Sequence, residues 1–105
     1  MINKLKNMLG LGPDADYAQL VKDGAIILDV RSKSEYAGGH IQGSMNIPVE
    51  YLEENLSRLK DKNKTVITCC ASGIRSARAK GILQSNGYTN VINGGGWQGL
   101  NKKLK

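Results

Sequence analysis

Two cysteines stand side by side at positions 69 and 70, at the end of the apolar run Thr65-Val66-Ile67-Thr68, and Ala71-Ser72-Gly73-Ile74-Arg75 follows them. A loop that joins a buried strand to a helix N-terminus can converge its backbone N–H groups on a cysteine sulfur, with the helix dipole behind them. A thiolate is stabilised there, so Cys70 becomes a usable nucleophile near neutral pH without a partner base. The sole histidine, His40, lies 30 residues upstream. In open α/β sheets ligands bind outside the carboxyl ends of the strands, which makes this loop a site by topology as well as by composition. Gly73 lets the chain curl through a positive φ, and Arg75 would close the rim with a fork of donors for an oxyanion. The plainer reading of the same residues is a buried cysteine before an ordinary turn.

Adjacent residues on a strand face opposite ways, so Cys69 and Cys70 would not form an ordinary disulfide. With no disulfide framework, a reducing cytoplasmic setting is expected. Zinc fails on ligand count, because there is one His and no C-x-x-C spacing. What remains for these cysteines is thiol chemistry.

Charge narrows the partners. Residues 1–61 hold seven basic and nine acidic residues, a net of −2, whereas residues 62–105 hold eight basic and no acidic residues, a net of +8. A half-chain of one sign favours an acidic partner or a small anionic substrate. Lys102, Lys103 and Lys105 also read simply as a solvated face. One Trp and four Tyr, with no basic stripe interleaved among them, argue against nucleic acid.

The elements that must position the loop follow from periodicity. The chain has 105 residues, 40% hydrophobic and 23% charged, the balance of a single compact domain with no room for a second. No apolar run reaches the length of a membrane span. Leu5, Met8 and Leu9 fall at helical spacing before Gly10 and Gly12-Pro13, so residues 1–13 read as a short amphipathic helix and linker rather than a secretory signal. The domain then occupies residues 14–105. Asp14 or Asp16 can cap a helix carrying Tyr17, Leu20 and Val21, which Gly24 stops. Ala25-Ile26-Ile27-Leu28 and Thr65-Val66-Ile67-Thr68-Cys69 are continuous apolar runs, the pattern of strands buried on both faces. Pro48 can open a helix with Val49, Leu52, Leu56 and Leu59 on one face, and Ser76 to Asn86 forms another with Ala79, Ile82 and Leu83 inward. Asn90-Val91-Ile92 is a last strand before Gly94-Gly95-Gly96, and Trp97 to Leu104 a closing helix. Strand and helix alternate, so the economical architecture is an α/β domain with a parallel sheet.

Several segments together resemble the rhodanese (sulfurtransferase) homology domain over about residues 16–100. Leu28-Asp29-Val30-Arg31 is similar to the family's first signature. Glu35-Tyr36, Gly39-His40-Ile41, Gly43-Ser44 and Asn46-Ile47-Pro48 are similar to its second. Cys70 to Ser76 sits where its active loop sits, and Gly87-Tyr88, Val91 and Gly94-Gly95-Gly96-Trp97 resemble its closing segment. The resemblance implies a three-layer α/β fold, a central parallel sheet with helices on both faces. It also implies that Cys70 takes a sulfane sulfur from a donor, holds it as a persulfide and passes it to a nucleophilic acceptor. Ala71, Ser72, Gly73, Ile74 and Arg75 would bind the substrate, with no metal and no organic cofactor. Many thiosulfate-using members carry a basic residue just after the cysteine, where this chain has Ala71. Anion recognition would then rest on Arg75, the loop amides and Arg78. The expected donor is thiosulfate, a protein or low-molecular-weight persulfide, or 3-mercaptopyruvate. A protein could also be the acceptor.

Two other readings stay open. One is a non-catalytic persulfide carrier or docking module. The other is a phosphatase or arsenate reductase, against which the loop length argues: the related loops place five residues between Cys and Arg, and here there are four. Asp29, Arg31, Arg78 and Trp97 are candidates for supporting the site. Each also has a structural reading, with Arg31 and Glu35 pairing at i,i+4 to fix the following helix. His40 reads as a packed turn residue and Cys69 as a small core hydrophobe, with a vicinal thiol that resolves a Cys70 persulfide as the alternative for Cys69. The residues carry no signal for oligomeric state.

Overall fold

The computed structural model describes residues 16–105. The expected N-terminal helix and linker over 1–13, and Asp14, lie outside the described residues. In chain order the elements are helix α1 (Tyr17–Lys22), strand β1 (Ile26–Asp29), helix α2 (Lys33–Ala37), strand β2 (Met45–Asn46), strand β3 (Val66–Cys70), helix α3 (Ile74–Ser85), strand β4 (Val91–Gly96) and helix α4 (Trp97–Lys103). Two 3₁₀ segments, Val49–Tyr51 and Glu53–Arg58, lie between β2 and β3.

All strand pairs are parallel, in the order β2-β1-β3-β4. Leu28 opposes Met45 and Thr68, and Ile67 opposes Ile92. Side chains alternate across the sheet and divide the interior in two. Leu28, Val30, Val66 and Cys70 face Ala79 and Leu83 of α3, together with Val49, Leu52 and Leu59. Ile27, Ile67, Cys69 and Ile92 face Tyr17 of α1 and Leu100 of α4. Both faces of β3 are therefore covered, and each fully buried aliphatic side chain contributes roughly 1.5–3 kcal/mol. This is the expected three-layer α/β architecture. Among the described residues no helix is long and apolar enough to cross a membrane.

Local chemistry explains the ends of the elements. Asp16 Oδ1 accepts from Gln19 N at 3.0 Å and caps α1, and Gly24 follows the helix with φ 107°. Ser32 and Glu35 form a reciprocal capping box on α2, which fixes a helix of only five residues.

The helix expected after Pro48 is instead two 3₁₀ segments. The Asn55 side chain donates to Tyr51 O at 2.8 Å, taking the carbonyl that its own backbone N–H would meet in an α-helix, and Asn55 N turns to Leu52 O. The inward residues Val49, Leu52, Leu56 and Leu59 are those the spacing selects. Strand β4 runs three residues beyond Asn93 into the glycine run, because the sheet demands backbone there with no side chain. A Cβ on Gly94 would stand 2.9 Å from both Thr68 O and Ile67 Cγ2.

Candidate active site

Strand β3 ends at Cys70, whose side chain is 1% exposed, and the chain then turns through Ala71, Ser72 and Gly73 into α3. Gly73 adopts φ 102°, in the left-handed region where a side chain is disfavoured, so the sequence places glycine where the turn needs it. The turn aims two backbone donors at the sulfur: Gly73 N lies 3.0 Å and Ser76 N 3.3 Å from Cys70 Sγ. The thiol faces Ser76 Oγ at 3.4 Å. Burial pushes the thiol up, but hydrogen bonds from the Ser76 hydroxyl and from the Ser76, Gly73 and Ser72 amides outweigh it. The Cys70 pKa is held below its ordinary value.

One residue earlier, Cys69 is fully buried on the opposite face. Burial, reinforced by the charge of Asp29, pushes its thiol up to about 12. The two neighbouring cysteines thus differ sharply in acidity, and Cys69 is the core residue expected of it.

At the rim Ala71, Ser72 and Ile74 are exposed, with Ile74 at 79%, and Gly73 and Arg75 are half-buried. The Arg75 fork does not stand open. Its Nη1 and Nη2 donate to Glu35 Oε1 and Oε2 at 2.7 and 3.0 Å. The Arg75 bond, helped by the Ser32 backbone, lowers the Glu35 carboxyl to about 2. Arg78 is exposed one turn further along α3.

The pairing expected between Arg31 and Glu35 is replaced by another. Arg31 is 4% exposed and closes on Asp29, with Nε 2.9 Å from Oδ1 and Nη2 2.6 Å from Oδ2. Its remaining donors reach Gly39 O at 2.7 Å and Glu35 O at 3.3 Å. A fully buried carboxylate leaves the guanidinium no better partner, since an unpaired Asp29 would be costly. Arg31 therefore holds Glu35 by its backbone, and the Glu35 side chain is left for Arg75. The Trp97 ring covers the same guanidinium at 4.7 Å and packs beside Gly39. Asp29, Arg31 and Trp97 thus form one knot behind the Glu35–Arg75 pair.

His40 is exposed, with its ring stacked on Tyr36 at 3.8 Å and Nδ1 2.7 Å from Tyr36 O. Two residues to which the sequence assigned no role at the sulfur take part in the site. Ser76 supplies a backbone and a side-chain contact to the sulfur, and its Oγ lies 2.6 Å from Asn93 Oδ1. The legible signal for Ser76 was its place in the first turn after the loop. For Asn93 it was the alternation of β4, which sets it on the same face as Cys70. Among the described residues no group of three His, Cys, Asp or Glu could hold a metal ion.

A parallel three-layer sheet that ends its central strand in an amide-cradled, acidified cysteine defines a class of thiolate-loop α/β domains. Within that class the sequence matches the family described as Rhodanese-like domain over residues 14–103. It is 43% identical over 70 residues to the thiosulfate sulfurtransferase PspE of Escherichia coli strain K12, covering 66% of this chain and 67% of the relative. It is 37% identical over 82 residues to the uncharacterized protein YqhL of Bacillus subtilis strain 168, covering 77% of this chain and 64% of that protein. A solved structure of a rhodanese with anions from E. coli superposes with a TM-score of 0.66 at 39% identity, covering 71% of this chain and 89% of that one. The chain belongs to the rhodanese-like sulfurtransferase family. It spans about two thirds of the length of these two curated relatives.

Proposed function

We propose that the chain is a sulfurtransferase that moves a sulfane sulfur from a donor such as thiosulfate to a thiophilic acceptor through a persulfide on Cys70. The acceptor is cyanide in vitro and a thiol or a protein in the cell. The observation that carries this reading is the convergence of the Gly73 and Ser76 amides on Sγ, at 3.0 and 3.3 Å. In the first half-reaction the Cys70 thiolate attacks the outer sulfur of thiosulfate, the S–S bond of the donor breaks, and sulfite leaves with the bonding pair. In the second, the acceptor attacks the terminal persulfide sulfur and Cys70 departs as thiolate, ready for another cycle. Amides that stabilise the thiolate also suit the anionic terminal sulfur, and they do so without reorganising. No resident metal or organic cofactor enters either half-reaction. The relative named a thiosulfate sulfurtransferase supports the choice of donor.

A second reading has its own support. With Arg75 engaged by Glu35 and Ala71 uncharged, the rim offers a small dianion little free positive charge. A protein persulfide donor and a carrier role, with one sulfur loaded and one delivered, fit that rim. The Cys70-to-Arg75 spacing leaves a cradle suited to a sulfur atom and small for a tetrahedral phosphoryl group. Two free thiols fit a reducing compartment.

Intact-protein mass spectrometry after incubation with thiosulfate tests the proposal. The wild type and Cys69→Ser should gain one sulfur atom that cyanide removes, and Cys70→Ser should gain none. Steady turnover with thiosulfate and cyanide would mark the enzyme, and a single stoichiometric loading the carrier. A sulfur that loads on Cys70→Ser would overturn the assignment.

A further inference from the structure

Ser76 Oγ has one proton and three neighbours that could receive it. They are Asn93 Oδ1 at 2.6 Å, Gly73 O at 3.0 Å and Cys70 Sγ at 3.4 Å. The Asn93 amide is not free to turn. Its Oδ1 accepts the Gly95 N–H at 2.9 Å, and its Nδ2 faces Gly73 O at 3.4 Å, so oxygen must be the atom presented to Ser76. At 2.6 Å the short contact gives Asn93 the hydroxyl proton in the thiol state. Ser76 Oγ then turns a lone pair to sulfur and accepts the Cys70 S–H. Once that S–H proton has left to solvent, the geometry inverts. The hydroxyl can swing to the thiolate, and Asn93 Oδ1 keeps the Gly95 N–H, so no buried acceptor is stranded.

We infer that Asn93 is a positioning residue that competes with Cys70 for the Ser76 proton and so sets how readily the sulfur ionises. It acts through Ser76 and never touches sulfur. The surrounding charges do not duplicate this role. Arg75 at the start of α3 is paired with Glu35 of α2, while Asp29 and Arg31 pair with each other behind Cys69. Among the described residues, the groups that hydrogen-bond Sγ are the Ser72, Gly73 and Ser76 amides and the Ser76 hydroxyl, and of these the hydroxyl alone has a proton that a rival acceptor can take. This inference deepens the reading of Cys70 as the nucleophile and rests on it.

The test is a pH titration of the Cys70 ¹³Cβ chemical shift by NMR on the full chain, which distinguishes thiol from thiolate without a reagent reaching the sulfur. Ser76→Ala, which removes the donor, should raise the Cys70 pKa by about one unit, the scale of one hydrogen bond. Asn93→Ala, which removes the rival acceptor, should lower it by about half a unit. In the Ser76→Ala background Asn93→Ala should move it no further, because the competition needs the hydroxyl. A packing role for Asn93 would shift both backgrounds alike, and that result, or a raised pKa in Asn93→Ala, overturns the inference. Asn93→Asp keeps the volume and serves where Asn93→Ala does not fold. It should raise the pKa more with Ser76 present than without it, and an equal rise overturns the inference. No sulfur donor is used, so a failure of the persulfide assay and a failure here are distinct results.

Discussion

The two terminal nitrogens of Arg75 meet the two carboxylate oxygens of Glu35 at 2.7 and 3.0 Å, across 40 residues of sequence. The pair fastens the first turn of α3, which carries two of the contacts to the Cys70 sulfur, to α2. It also withdraws from the rim the cation best placed to meet an anion. Both side chains are more than one third exposed, at 37% and 38%, so solvent screens the pair and its contribution to stability is about 0.5–1 kcal/mol.

Glu35→Gln should therefore have two opposed effects. Stability should fall by about 0.5–1 kcal/mol, read as a drop of a few degrees in Tm. The freed guanidinium should lower KM for thiosulfate by up to about fivefold, the equivalent of about 1 kcal/mol. An unchanged KM would mean that Arg75 takes no part in binding the donor.

The same pair gives an acid limb to stability. The folded Glu35 carboxyl is lowered to about 2 from an ordinary value of 4.5. Because the folded value is the lower one, the stabilisation is present above 4.5 and is lost as pH falls through about 2. Urea titrations of the wild type at pH values through that window should lose more stability than those of Glu35→Gln. Parallel curves would sink the assignment.

Cys70 and Cys69 should differ under alkylation. The depressed Cys70 value means that the thiolate fraction grows at a pH below that of an ordinary cysteine, and at low pH the thiol form returns. Cys69, pushed up to about 12, should stay unmodified until the protein unfolds. Peptide mapping after iodoacetamide treatment at several pH values measures both, and native modification of Cys69 would contradict the burial.

Asp29→Ala should cost about 3–5 kcal/mol in urea unfolding, because it strands the buried Arg31 charge. Arg31→Lys should itself lose part of that stability, since one ammonium cannot serve both Asp29 oxygens and the Gly39 carbonyl. Equal stability of Arg31→Lys and wild type would refute this account.

Glycines offer a paired test. Gly94→Ala should destabilise by about 2 kcal/mol or more, because its Cβ would sit 2.9 Å from Thr68 O with backbone on the other side of the contact. Gly81→Ala, inside α3 with nothing within 4 Å of the added atom, should stabilise by up to about 1 kcal/mol. Thermal unfolding of both variants reads the signs directly.

The architecture was legible because β1 and β3 are continuous aliphatic runs and the glycines after α1 and α3 punctuate them. Cys70 and its loop were legible for the same reason, since strand, loop and helix succeed one another without ambiguity. Partner choice was not. Arg31 and Glu35 share a favourable spacing, but a pairing rule for helix surfaces does not see that Asp29 is buried two residues away and must be neutralised first. Asn55 hid the 3₁₀ geometry, because its competition for the Tyr51 carbonyl depends on a rotamer. β2, two residues long, falls below any period a sequence can display. Alternation from Val91 and Ile92 set the face of Asn93, but the three glycines after it left nothing in the sequence to show its contact with Ser76.

The pleat of β3 acts as a chemical insulator. One peptide step carries the chain from a thiol lodged against Asp29 to one lodged among amides, with a full sheet layer between their environments. A slip of one residue in that strand would exchange them, setting the inert sulfur in the cradle and the reactive one in hydrocarbon. Hydrogen-bonded neighbours on both sides pin β3 against such a slip. Strand register in this molecule thus decides which thiol meets the amides and which meets the core, and a sulfur carried on Cys70, as proposed, would be kept out of reach of the thiol next to it in sequence.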